Sequence, residues 1–211
     1  MKYSVIRLTQ EQFRNQIRAS IGIYISAMGY RSSVADGRAG AWLAQQAEPN
    51  WTAVGAFAHP DDLDTHHLAD DLRAELVGIG FCFSGNSRQW WNQQVHAGLT
   101  RQGTSLRRVR SLLNHYVELS EIHVLPDHQG AHLGEDMLRL MMDGRPERIV
   151  LLSTPEVPEE ENRAWSLYRR IGFCDVLRDF HFPGDPRPFA VLGSALPLPP
   201  VRQSGLTSKV P

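Results

Sequence analysis

Lysine is nearly missing from this 211-residue chain: of its 22 basic residues only Lys2 and Lys209 are lysines. The other cations are arginines spread along the chain, and the formal net charge is −1. A chain so balanced, with a pI near 6.8, lacks the electrostatic footprint of a nucleic-acid or anionic-membrane binder. No apolar run approaches the ~20 residues a membrane-spanning helix needs. The first eight residues alternate polar and apolar, unlike the charged and then apolar stretches of a secretory signal. Cysteine is scarce, and Cys82 and Cys174 sit in apolar, strand-like runs, where they are expected to pack as small hydrophobes. A cytoplasmic location is the expectation.

Several catalytic signatures are missing too. With no lysine between Lys2 and Lys209 there is no P-loop, and no three spaced glycines open a first βαβ unit. Neither Ser84 nor Ser153 stands in a Gly-x-Ser-x-Gly elbow, and no Cys-x-x-Cys occurs. The segment holding His59, Asp61, Asp62, Asp64, His66, His67, Asp70 and Asp71 has metal-ligand chemistry. It lacks the ordered Asp-x-Asp-x-Asp-Gly of a calcium loop, and adjacent histidines are not the i, i+4 pair of a helical zinc site. No metal is expected.

What remains has the composition of an ordinary globular domain, 42% apolar and 21% charged. Residues 2–9 read as a strand; Thr9 and Gln12 then form a capping-box signature, and Phe13, Ile17, Ile21, Tyr24, Ile25 and Met28 recur at helical spacing toward Gly29. A short helix is expected around 41–47, strands over 51–58 and 75–83, and loop plus helix over 87–114, with Arg101, Arg107, Arg108 and Arg110 on a solvated face. A strand over 115–125 stops at Pro126, and a helix over 133–142 and a strand over 148–154 follow. A helix over 158–172 closes at Gly172, and two last strands flank the turn Pro183-Gly184-Asp185-Pro186. The order of elements predicts an α/β domain, a mixed sheet with helices on both faces. It is expected to span residues 1–194; residues 195–211, proline-rich and without periodicity, are expected to be disordered.

The informative stretch runs from Glu118-Leu119-Ser120-Glu121-Ile122-His123-Val124 through Gln129-Gly130-Ala131-His132-Leu133-Gly134. A Gly-bearing loop feeding a helix start aims free backbone N–H groups and the positive end of the helix dipole at one point, which suits a phosphate or pyrophosphate. The stretch resembles the acetyl-CoA pyrophosphate loop of the GNAT superfamily, Gln/Arg-x-x-Gly-x-Gly/Ala after a strand ending in Val-x-Pro. Downstream, the stretch from Asn162 to Phe173 resembles that family's Asn-x-x-Ala-x-x-x-Tyr-x-x-x-Gly-Phe helix. Over its whole length the chain also resembles an actinobacterial-type subgroup, compared at Gln89-Trp90-Trp91, Leu152-Ser153-Thr154-Pro155-Glu156 and the run from Phe182 to Phe189.

The resemblance implies a centrally splayed sheet, the acyl-CoA N-acyltransferase fold, and an N-acetyltransferase passing acetyl from acetyl-CoA directly to a primary amine of a small molecule or protein. It carries the base to Glu118, with Glu121 as the nearby substitute, although regular alternation puts Glu121 on the opposite face. Tyr168 becomes the acid for the departing thiolate. The cofactor falls to Ile122, His123, Val124, Gln129, Gly130, Ala131, His132, Leu133, Gly134 and Asn162 along with Tyr168, and the acceptor to Tyr24, Tyr30, Trp90, Trp91 and His115. A homodimer is common in the family. One residue departs from the pattern: the first loop glycine falls on His132. Histidine enters the left-handed region more readily than most residues, and its imidazole there either adds a donor or obstructs the phosphates. The second reading is a GNAT fold that binds CoA or a partner protein without turnover.

Overall fold

The computed structural model describes residues 1–200; residues 201–211, most of the expected disordered tail, lie outside the described residues. In chain order the elements are β1 (Lys2–Leu8), α1 (Gln10–Asn15), α2 (Ile17–Met28), α3 (Ala35–Gln45), β2 (Thr52–His59), β3 (Glu75–Ser84), α4 (Trp90–Arg101), α5 (Leu106–Leu113), β4 (Tyr116–Val124), α6 (Leu133–Met142), β5 (Ile149–Pro155), α7 (Arg163–Ile171), β6 (Cys174–Phe180) and β7 (Phe189–Ala195). One seven-stranded sheet runs in the order β1-β2-β3-β4-β5-β7-β6. Every pairing is antiparallel except β4 with β5, as the mixed-sheet reading requires.

The parallel pair is also the shortest. It joins Tyr116 to Ile149, Val117 to Val150 and Glu118 to Leu151, and there the ladder ends. Beyond Glu118 the two strands part, and the sheet splays at its centre.

Helices cover both faces. On one, α6 and α7 bury Met137, Leu138, Met141, Trp165 and Ile171 against Val54, Val117 and Val150. On the other, α1 to α3 pack Phe13, Tyr24 and Trp42 against Phe57, Ile79 and Phe81. Beside them α4 and α5 pack Val95, Leu99 and Leu112 against Leu151, Leu177 and Val191. The α4 contact depends on Gly98, where a Cβ would lie 2.7 Å from Leu177 Cδ2 and 2.8 Å from Phe180 Cε2; a side chain there would push the helix off the sheet.

The local signals explain most boundaries. Thr9 and Gln12 form the expected capping box. The single helix expected toward Gly29 is two, broken at Gln16, whose backbone leaves helical geometry (ψ 2°) while its Nε2 donates to the Ala69 carbonyl at 2.9 Å. The short helix expected at 41–47 begins earlier, at Ala35, and the 87–114 region holds two helices around Gly103 (φ 76°). The helix expected from 158 starts only at Arg163, because Asn162 caps it; its other end is the predicted one, Gly172 at φ 97°.

Residues 195–200 are held against the domain. Ala195 closes β7, and the Leu196 N–H donates to the Arg148 carbonyl at 2.9 Å. Leu196 and Leu198 pack on the α6–α7 side, and Arg139 Nη1 donates to the Pro199 carbonyl at 2.7 Å. Prolines set off by two leucines hide an alternating apolar pattern that only the adjacent helices reveal.

Candidate active site

The splay opens a cleft of about 1010 Å³. Its floor is β4, and the strand is irregular where that matters. Phe81 of β3 pairs with Glu121, but the next residue, Cys82, pairs with Leu119, leaving Ser120 as an extra residue on β4. Such a bulge breaks the two-residue alternation. Before it Val117 and Leu119 face the α6–α7 side; after it Ile122 and Val124 do. Glu118 and Glu121 therefore share the opposite face, and both line the cleft. The expectation that alternation would separate them is corrected: an inserted residue was invisible in the pattern.

The two carboxylates meet different surroundings. Glu118 is buried, and its Oε2 has no hydrogen-bond partner among the described residues. Burial, reinforced by the nearby Glu48 and Glu121 carboxylates, pushes its pKa up to about 8. Glu48 is itself held by Gln89 Nε2 at 2.7 Å. Glu121 is tied down on every side. Trp42 Nε1 donates to its Oε1 at 3.1 Å, His123 Nε2 lies 2.6 Å from its Oε2, and Arg38 Nη1 is 3.7 Å away. Tyr24 meets the His123 ring edge-on at 5.1 Å.

After β4 the chain makes the phosphate-type loop. Gln129 Nε2 ties back to the Val124 carbonyl at 3.1 Å. Gly130 has φ 94°, and His132, at φ 60° and ψ 6°, takes the left-handed angles that glycine would take there. No side chain caps the start of α6, so its first N–H groups face the cleft without a competing acceptor from the loop. Arg163, the first residue of α7, stands directly over the loop: a Cβ on Gly130 would lie 2.7 Å from its Nη1. Among the described residues Arg163 makes no hydrogen bond or ion pair. Glu135, the acid nearest this end, is neutralised by Arg139 at 2.9 Å and Arg170 at 2.8 Å. Burial alone would raise its pKa, but those two guanidinium groups hold it below the usual carboxylate range. Free N–H groups, left-handed residues and an unpaired guanidinium fit a pyrophosphate.

Tyr168 lies on α7, buried and packed against Phe173. Burial, with a smaller contribution from Glu121, raises its pKa, so the phenol keeps its proton at every working pH. Asn162 also lines the cleft, but its Oδ1 accepts from the Trp165 N–H at 2.9 Å as the helix cap. On the remaining side stand Tyr24, Tyr30, Trp90 and Trp91. Trp91 Nε1 donates to Ser153 Oγ at 3.2 Å, and Trp90, 53% exposed, packs at a tilt against Phe182 with ring centres 5.7 Å apart. Arg187, paired with Asp185 and hydrogen-bonded to the Tyr30 hydroxyl, ties the β6–β7 loop to the residues after α2 across this mouth.

Two residues expected in the site lie elsewhere. His115 is exposed at the start of β4, the end away from the splay, and helical or strand period says nothing about which end of a strand faces a cleft. Ala131 borders a separate groove with Tyr3 and Val5, because the left-handed residues on either side of it turn it to the back of the loop. The sequence reading missed Arg38, Glu48, Arg163 and Arg187. Arg163 carried a signal as the neighbour of Asn162 in the second motif, and Arg187 as a member of the compared run from Phe182 to Phe189; Arg38 and Glu48 carried none.

No family model matches the chain. A GCN5-like protein acetyltransferase of Mycobacterium tuberculosis is 40% identical over 206 residues, covering 94% of this chain and 100% of that protein. The chain belongs to the GNAT superfamily of acetyltransferases. GNAT proteins of known structure share its fold: yncA of Salmonella typhimurium, solved with its cofactor acetyl-CoA, aligns with a TM-score of 0.54 at 13% identity over 92% of this chain and 94% of its own. The ribosomal-protein-S18-alanine N-acetyltransferase of Escherichia coli aligns at 0.55 and 13% over 98% of each.

Proposed function

We propose that this GNAT protein transfers an acetyl group from acetyl-CoA to a primary amine of a protein. The observation that carries the reading is the pairing, in one cleft, of a buried carboxyl with an unmatched oxygen, Glu118, and a buried phenol, Tyr168. The full-length likeness to a protein acetyltransferase supports a protein acceptor. Bound acetyl-CoA supplies a thioester-activated acetyl group.

The chain's residues divide the remaining work. The N–H groups at the start of α6, with Arg163, hold the pyrophosphate, and Ile122 to Val124 offer backbone groups to the pantetheine arm. An alkyl ammonium with a pKa near ~10.4 is mostly unreactive at neutral pH. Glu118, once ionised, takes its proton, and the freed lone pair attacks the thioester carbonyl carbon. As the new C–N bond forms the C–S bond breaks, and Tyr168 gives its proton to the departing sulfur. As the amide forms, its nitrogen gives up a second proton, which replaces the one Tyr168 gave to sulfur; the amide and free CoA leave, and Glu118 returns its proton to solvent.

Calorimetric titration of acetyl-CoA, with thiol release followed alongside in Tyr168→Phe and His132→Gly, tests this. Micromolar binding with slow thiol release that falls in Tyr168→Phe is the expected result. Absence of binding in the unaltered protein, restored in His132→Gly, would instead mean that the loop has lost its cofactor.

A further inference from the structure

We infer that the α4–α5 insertion between β3 and β4 is a docking surface for an acidic segment of the acceptor protein. The inference rests on the protein-acceptor reading above and names what such an acceptor carries beside its amine.

The starting observation is an absence. Residues 76–117 contain no aspartate or glutamate, yet they hold Arg88, Arg101, Arg107, Arg108 and Arg110. All five are exposed. Elsewhere most arginines are matched at close range, as Arg145 is by Glu147 at 2.7 Å, Arg178 by Glu156 at 2.8 Å and Arg187 by Asp185 at 2.6 Å, whereas Arg14, Arg18, Arg31, Arg148 and Arg163 are scattered along the chain and have no such partner among the described residues. Among the described residues no carboxylate pairs with any of the five. What marks this region is therefore the lack of acids around its arginines.

The arrangement works against local stability. Arg107 and Arg108 occupy the first turn of α5, at the positive end of the helix dipole, where acids are favoured and none is present. Arg107 and Arg110 stand three apart on one helix, a like-charge spacing that costs a few tenths of a kcal/mol. The surface is nonetheless held rigidly. The Arg101 guanidinium lies 5.6 Å from the Phe180 ring centre, Gln102 Nε2 donates to the Arg178 carbonyl at 3.1 Å, and Gly98 seats α4 on β6. Leu106, 61% exposed at the start of α5, adds an apolar contact among the charges.

Position links this surface to the cleft. α4 begins on the cleft wall at Trp90 and Trp91 and ends at Arg101, and its 12 residues at ~1.5 Å each span ~18 Å. About five or six extended residues cover that distance. The cleft presents Glu118 and Glu121 to the acceptor's ammonium, while the insertion presents arginines to what lies about six residues along the same chain. A lysine with an acidic run at that spacing satisfies both, whereas an acidic run beside the lysine would meet the cleft carboxylates. A nucleic acid fits less well: the chain's net charge is −1, and the exposed Trp90 already packs at a tilt against Phe182.

The test uses fluorescein-labelled synthetic peptides carrying one lysine, a spacer of about six Gly/Ser residues and a run of either glutamates or glutamines. Fluorescence polarisation, without acetyl-CoA, reads binding; acetylation of the same peptides reads kcat/KM. The glutamate peptide should bind about tenfold tighter than the glutamine peptide at low salt, an advantage that falls with ionic strength. Arg107→Glu/Arg108→Glu should abolish the advantage, and the milder Arg107→Gln/Arg108→Gln should reduce it, both with calorimetric acetyl-CoA affinity unchanged. Equal binding of the two peptides, or an advantage untouched by either variant, overturns the inference. So does a single-stranded oligonucleotide that binds more tightly than the glutamate peptide. Because the polarisation readout needs no cofactor, failure of acetyl-CoA to bind would sink the transferase reading without deciding the docking surface.

Discussion

The two walls of the cleft are built on opposite principles. The wall proposed to hold the cofactor comes from two contiguous stretches, residues 118–134 and 162–173, and much of what it offers is backbone: N–H groups at the start of α6, left-handed angles at Gly130 and His132, a bulge at Ser120. The acceptor wall is gathered from the end of α2, α3, the start of α4 and the β6–β7 loop, and it offers side chains. Backbone geometry constrains sequence through glycines and spacing, whereas side chains lining an open wall answer only to their ligand.

The sharpest way to break the comparison lies on the floor both walls share. Glu118 and Glu121 line the same cleft, but one is short of partners and the other is surrounded by them. Glu118→Gln should lower kcat/KM by about 10²–10⁴. With its pKa near 8, Glu118 is protonated through neutral pH, so the rate should climb with pH and level off above about 8. The Gln variant should lose that limb. Stability should move the other way. Between about 4.5 and 8 the unfolded chain has released this proton and the folded chain has kept it, so the unfolded state binds fewer protons and stability falls as pH rises. Glu118→Gln should remove that decline in denaturant midpoints, while Glu121→Gln should leave the rate limb in place. If Glu121→Gln abolishes the limb instead, the two roles are exchanged.

Tyr168→Phe comes next, with an expected loss of about 10² in kcat. Because the buried phenol stays protonated, the loss should be the same at every pH across the Glu118 limb, and acetyl-CoA affinity should hold. A loss that varies across the limb would mean that Tyr168 shares in activating the amine.

These two residues also show what was legible. Both line the cleft, and each could be placed there because it sits at a fixed step in a local motif. The shared face of Glu118 and Glu121 could not be read, since a bulge depends on the register against β3 and not on the order of residues within β4. Arg38 and Trp42 escaped notice because α3 meets β4 only after the chain has returned from a distant turn. Nor does the motif show that Ala131 alone among residues 129–134 turns to the back of the loop, since that depends on the left-handed angles on either side of it.

A smaller effect is expected from Arg163→Ala, which should weaken acetyl-CoA binding about tenfold in calorimetry, the worth of one charge-assisted contact at an exposed site. Acetyl-pantetheine, which lacks the pyrophosphate, should bind variant and parent alike. Equal losses for both ligands would mean that Arg163 only supports the α7 start.

The smallest effect should be that of His132→Gly, and its smallness would be informative. A non-glycine residue in the left-handed region is strained by about 1 kcal/mol, which glycine would relieve. Glycine also gives the unfolded chain more freedom, about 0.5–1 kcal/mol in the opposite direction. The midpoint of unfolding should therefore move little, and acetyl-CoA affinity should stay within about threefold if the loop holds phosphate through its backbone. A tenfold weakening would mean that the imidazole is itself a phosphate ligand; a tenfold gain would mean that it crowds the phosphates. Either result would bring side-chain chemistry onto the wall that is otherwise built from backbone, and the contrast between the two walls would then lie in the constancy of their angles more than in the kind of atoms they present.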